Sequence, residues 1–132
     1  GPAGRCVAEH LLRHSETVEV LDLNAASLSR AHDEGIHTHI GDASHPEILE
    51  HAGVRRARAV VVTIPDTRAA RHVIERVRIL APDAIIVARA RYNMHIQDLL
   101  DSGAHLAVDE EWEVGRRLAE QTRNILKNTA AE

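Results

Sequence analysis

Short β-branched runs alternate along the chain with longer stretches in which apolar residues recur at helical spacing. That pattern belongs to an α/β protein with a parallel sheet. The strand candidates are Val18-Glu19-Val20-Leu21, Ile36 to Ile40, Ala59 to Thr63, Ile85 to Ala88 and His105 to Val108. The runs from Ala59 and from Ile85 show no polar alternation, so they are expected to be central strands covered by helices on both faces. His37 and His39 alternate with apolar neighbours, which places their strand at or near an edge.

The helices between the strands have legible ends. Asn24 is placed to cap a helix through His32 that stops at Gly35. Ser44 and Glu47 have the spacing of a capping box, with Pro46 in the first turn and Gly53 closing that helix. Asp66 is placed to cap a helix to about Leu80, whose apolar side carries Val73, Ile74, Val77 and Leu80. Another helix covers roughly Met94 to Ser102 and closes at Gly103. The last, about Trp112 to Lys127, follows the acidic run Asp109-Glu110-Glu111, which suits the positive end of a helix dipole. Its stripe of Val114, Leu118 and Ile125 has no strand after it and needs an apolar partner from elsewhere.

Length and composition narrow the class. A chain of 132 residues sets a prior of one domain, and no apolar run approaches the roughly 20 residues of a membrane-spanning helix. Sixteen basic against twenty acidic side chains give a net charge of -4, contrary to the footprint of a nucleic-acid backbone binder. Tyr92 and Trp112 are the only aromatics, too few to stack bases on. No nucleic-acid partner is expected. Cys6 is the single cysteine and cannot form an internal disulfide, which fits a reducing cytosolic setting with Cys6 as a small packing residue.

The chemistry-bearing positions gather at the carboxyl ends of the strands, where open α/β sheets bind ligands. Gly1 and Gly4 have the spacing of the second and third glycines of a dinucleotide-binding G-x-G-x-x-G loop, and a helix opens after them. Asp22 ends the next strand, where an acidic side chain accepts hydrogen bonds from ribose hydroxyls; it is equally placed to cap the turn before Asn24. Asp42 follows Gly41 after the Ile36 to Ile40 strand. Thr63 and Ile64 end the strand from Ala59, and Arg89 and Arg91 the strand from Ile85, as phosphate or carboxylate ligands or as exposed ion pairs. The ten histidines form no close ligand set, so no metal is expected. Neither a Walker motif nor a nucleophile elbow is present, and Lys127, the only lysine, is remote from Tyr92, so no catalytic residues are assigned.

Together these motifs resemble the nucleotide-binding N-terminal domain of RCK proteins (regulators of potassium conductance), also called TrkA-N, in the form found on Kef-type cation/proton antiporters. The resemblance runs from Gly1 to Gln121. It is carried by Gly1-Pro2-Ala3-Gly4-Arg5, Val20-Leu21-Asp22-Leu23-Asn24, Gly41-Asp42-Ala43-Ser44, Ala57 to Asp66, Ile86 to Arg91 and Leu100 to Ala104. It implies a Rossmann-like doubly wound sheet of order 3-2-1-4-5-6 over residues 1–121, then the end of a C-terminal crossover helix and tail over 122–132. It also implies a regulatory homodimer that binds NAD(H) or an adenine nucleotide (AMP, ADP or ATP) as a ligand and gates a potassium channel, transporter or antiporter. That membrane protein would be on the same polypeptide or associated with it, with this domain on its cytoplasmic face. Carried over by position, Gly1, Pro2, Ala3, Gly4 and Arg5 form the phosphate loop. Asp22 and Leu23 lie at the ribose, Asp42 and Ala43 on the adenine side, Thr63 and Ile64 along the crevice wall, and Arg89 near the ligand or dimer cleft. Relative to the family, the first strand and first fingerprint glycine are expected upstream of Gly1 or from another segment, and Tyr92 stands where Asp is frequent. The alternatives are an NAD-dependent oxidoreductase fragment and a dimerisation module with a non-functional nucleotide site.

Overall fold

The computed structural model describes residues 1–130; the last two residues of the expected 122–132 tail lie outside the described residues. Helices and strands alternate throughout. The order is α1 (Pro2–Arg13), β1 (Glu19–Asp22), α2 (Ala25–Asp33), β2 (His37–Ile40), α3 (Pro46–His51), β3 (Ala59–Val62), α4 (Thr67–Leu80), β4 (Ile85–Ala90), α5 (Ile96–Ser102), β5 (Leu106–Asp109) and α6 (Glu110–Ala130). Two 3-10 turns, Val54–Arg56 and Asn93–His95, follow α3 and β4.

All strand pairs are parallel. β1 pairs with β2, and β3-β4-β5 form a second sheet; among the described residues β1 and β3 do not pair with one another. Apolar packing nevertheless links the two. The larger core gathers Val62, Val73, Ile74, Val77, Ile86, Ala88 and Leu99 with Leu49, and Leu21 and Ala43 from the first half pack against it. Ile74, Val77 and Ile86 are fully inaccessible, each contributing about 1.5–3 kcal/mol of apolar burial. A smaller cluster of Ala8, Ala31 and Ile36 seats α1 and α2 beside β1.

Two caps form as the sequence predicts: Asn24 Oδ1 accepts from the Ala26 amide at 2.9 Å and Asp66 Oδ2 from the Ala69 amide at 2.8 Å. The Ser44 capping box does not form. His45 is the N-cap of α3 without a side-chain bond, because the Ser44 amide and hydroxyl both donate to Asp42 Oδ1. α1 begins at Pro2, so Ala3 and Gly4 already lie in its first turn. Cys6 is exposed rather than packed, its Sγ 3.7 Å from His10 Nδ1.

The expectation of strands buried on both faces also fails. In β3 and β4 the pattern alternates: Val62, Ile86, Ala88 and Ala90 are buried, while Ala59, Val61 and Ile85 are exposed. Register aligns Val61 with Val87 and Leu106, and Arg89 with Val108, so one sheet face packs on α4 and α5 and the other is open. Arg78 staples the covered side together. Its guanidinium donates to the carbonyls of Pro82 at 2.8 Å and Gly103 at 2.6 Å.

Candidate functional site

The parallel strands bring the carboxyl ends of β1 and β2 side by side, with the Gly41 amide donating to the Asp22 carbonyl at 3.0 Å. Asp22 divides its carboxylate. Oδ1 accepts from the Asn24 amide at 2.9 Å, and Oδ2 lies 3.2 Å from the Gly1 nitrogen. The turn-capping role is thus present, and the other oxygen faces the glycine loop. Burial pushes this carboxyl up, but the Asn24 amide, the charged terminal ammonium of Gly1 and the Leu23 amide outweigh it and hold Asp22 below the usual carboxylate range.

Gly4 is pressed against the end of β3. A Cβ there would stand 3.1 Å from Thr63 Oγ1, so a hydrogen at this position lets helix and strand approach. Among the described residues nothing lies within 4 Å of a Cβ built on Gly1. Four sequence-assigned residues, Gly1, Gly4, Asp22 and Thr63, therefore meet around the amino end of α1. Positive backbone potential and unsatisfied N–H groups concentrate there.

Asp42 forms a compact turn of its own. The Ser44 amide at 2.9 Å and hydroxyl at 2.8 Å bond Oδ1 and lower the carboxyl. A Cβ on Gly41 would fall 2.8 Å from Ile48 Cγ2, which fixes the approach of this turn to α3. Ala43 and Ile64 are half-buried against the larger core, so they shape the wall without offering polar groups.

Arg89 completes the edge. Its Nε donates to Glu110 Oε2 at 2.6 Å and its Nη1 to the Thr63 carbonyl at 3.3 Å. Not every assigned residue converges. Arg5 is turned along α1 to Glu9 at 3.0 Å, Leu23 is 71% exposed at the rim, and Pro2 and Ala3 serve as the first helical residues. Arg91 lies over the Tyr92 ring, 5.5 Å from its centroid.

Sequence reading did not single out Glu110 as a partner of Arg89. Their ion pair spans 21 positions, and the only signal was a carboxylate run at a helix start. That run roots α6. Asp109 Oδ1 accepts from the Trp112 amide at 3.1 Å and Oδ2 from Asn93 Nδ2 at 2.7 Å, while Glu111 accepts from the Asn93 amide at 3.1 Å. Beyond this root Trp112, Val114, Leu118, Ile125 and Leu126 are all exposed. A separate hollow of about 400 Å³ at His32, Gly35, Ile36, His37 and Thr38 opens at the amino end of β2, away from these residues. Among the described residues no group of His, Cys, Asp and Glu has the arrangement to hold a metal ion.

Comparison with known proteins places this geometry in context. The family model for the TrkA-N domain matches residues 1–110. YbaL of Escherichia coli (strain K12), named as a cation/proton antiporter, is 27% identical over 120 residues, which is 91% of this chain and 22% of that protein. The solved TrkA-N domain of that inner membrane protein superposes with a TM-score of 0.85 at 26% identity, covering 92% of this chain and 90% of that one. KefB of Alkalimonas amylolytica, named as a K(+) efflux antiporter, is 30% identical over 118 residues, 89% of this chain and 18% of that protein. The Kef CTD of Shewanella denitrificans in its AMP-bound form shares the fold, with a TM-score of 0.82 at 24% identity over 96% of this chain and 76% of that one. The chain spans about a fifth of the length of the curated antiporters it matches.

Proposed function

The chain belongs to the TrkA-N domain family, and from that premise we propose that it is a regulatory module that binds an adenine nucleotide, AMP, ADP, ATP or NAD(H), at the carboxyl edge of its strands. The observation that carries the reading is the meeting of Gly1, Gly4, Asp22 and Thr63 at the amino end of α1. Its chemistry fits the ligand part by part. The α1 amino end with Gly1 and Gly4 faces the phosphates, and Asp22 Oδ2, on the glycine-loop side, accepts from the ribose hydroxyls. Asp42, Ala43 and Leu23 border the base, and Thr63, Ile64 and Arg89 line the opposite wall. The AMP held by the Shewanella denitrificans domain supports an adenine nucleotide here. In this reading the nucleotide is a signal and is not transformed.

The partner is a membrane transporter of potassium or protons and other cations, as the names of the relatives suggest, with this domain on its cytoplasmic side. No helix of the described residues is long and apolar enough to cross a membrane, so the transport path lies in another segment or chain. Two exposed apolar surfaces support a homodimer: the α6 stripe of Val114, Leu118 and Ile125, and the open sheet face of Val61, Ile85, Leu106 and Val108. Exchange of α6 arms between two copies would cover both. The nucleotide would act by favouring one dimer arrangement, biasing the transporter by its difference in affinity.

A thermal-shift panel tests the reading. AMP, ADP, ATP, NAD and NADH are added at millimolar concentration, and at least one is expected to raise the midpoint by mass action. No shift with any of the five refutes the sensor role.

A further inference from the structure

One guanidinium joins the candidate crevice to the exposed arm. Arg89 donates through Nε to Glu110, the first residue of α6, and through Nη1 to the carbonyl of Thr63, whose side chain abuts Gly4. Of Arg5, Arg89 and Arg91, Arg89 is the one tied to the crevice wall, since Arg5 is engaged by Glu9 along α1 and Arg91 lies over the Tyr92 ring. Three carboxylates, Asp22, Asp42 and Glu110, stand at the ends of β1, β2 and β5, so an incoming phosphate meets negative charge there and has Arg89 as its side-chain cation. A carboxylate on an arginine fork makes the same contact that a phosphate oxygen makes. We infer that Glu110 is an internal competitor for Arg89: it occupies the cation that a nucleotide phosphate takes, and nucleotide binding displaces it and loosens the first turn of α6.

The pair has the properties of an exchangeable contact. Both side chains are about one-third exposed, at 30% and 36%, so the bond is partly screened and weak. A phosphate monoester carries nearly two charges against the one of Glu110, and Coulomb attraction favours it. Loss of Glu110 would not unroot α6, because Asp109 and Glu111 remain tied to Asn93. The consequence is a graded loosening of the helix root and not its detachment. Arg89 holds the Glu110 carboxyl below the usual carboxylate range, so both partners are charged at neutral pH.

This inference rests on the nucleotide reading above, and the test separates the two. AMP and adenosine, which lacks the phosphate, are titrated calorimetrically into the wild-type chain and Glu110→Gln. Hydrogen exchange of residues 112–115 is followed with and without AMP. The expected result is AMP binding about fivefold tighter in Glu110→Gln, adenosine binding unchanged, and AMP-dependent acceleration of exchange in the wild type alone. AMP affinity that is unchanged or weaker in Glu110→Gln, an equal change for both ligands, or exchange in the wild type indifferent to AMP overturns the competition while leaving nucleotide binding intact. Failure of the wild-type chain to bind either ligand overturns the nucleotide reading and this inference with it.

Discussion

At the scale of single residues, carboxylates set the behaviour of the candidate site. Asp22, Asp42, Asp109, Glu110 and Glu19 are all held below their ordinary values. For Asp42 the first cause is the Ser44 amide, for Asp109 the Asn93 side chain and for Glu110 the Arg89 guanidinium. For Asp22 and Glu19 burial acts upward, but hydrogen bonds win, from the Asn24 amide to Asp22 and from His39 and His37 to Glu19. The folded state therefore binds fewer protons than the unfolded chain in the acid range. Stability from these groups is complete above the unfolded carboxylate values, about pH 4–5, and drains away as pH falls through the lower folded values. Thermal midpoints measured from pH 7 to 3 should be flat down to about pH 5 and then fall; a midpoint that rises on acidification contradicts these assignments. Gly41 gives a steric test at the same scale. In Gly41→Ala the new methyl must displace the branched Ile48 side chain, 2.8 Å away at Cγ2, at a cost of about 1–2 kcal/mol in urea unfolding. A neutral substitution would mean that this turn yields easily.

At the scale of elements, α6 is the part whose environment is least complete. Its principal contacts with the body are to β5 and the Asn93–His95 turn, and its apolar stripe is exposed. If the stripe seats the proposed homodimer, Leu118→Glu should shift the sedimentation equilibrium toward monomer relative to the wild type while leaving the α/β body folded by far-ultraviolet circular dichroism; an equilibrium equal to that of the wild type removes the stripe from the proposed interface. Arg78 is the corresponding test inside the body. Arg78→Ala deletes charge-assisted bonds to Pro82 and Gly103 and should cost about 1.5–3 kcal/mol in the same urea measurement. The elements show which physics a sequence exposes. The caps at Asn24 and Asp66 were legible because each is completed within three residues by its own helix. The capping box at Ser44 misled because Asp42, two positions earlier, took the same amide and hydroxyl first. The apolar runs of β3 and β4 revealed hydrophobic faces but not whether the covering element lies in this chain, and one face is open.

For the whole molecule, parallel pairing gathers the ends of distant strands along one edge. Asp22 and Thr63 could be assigned there from the sequence because a strand followed by a turn dictates where its last residues lie, and Gly1 because its spacing from Gly4 marks the start of a helix. The Arg89–Glu110 pair could not be, since it depends on α6 starting beside β4, and Arg5 found Glu9 one helical turn away before any crevice. In the proposed reading, this edge is where the nucleotide binds. The most direct test is a calorimetric titration of AMP into the wild-type chain and into Asp22→Ala. The expected result is saturable single-site binding, weakened at least about tenfold by the loss of charge-assisted bonds to the ribose. No measurable heat at millimolar AMP in the wild type, or equal affinity in the two proteins, would contradict a nucleotide site built on Asp22.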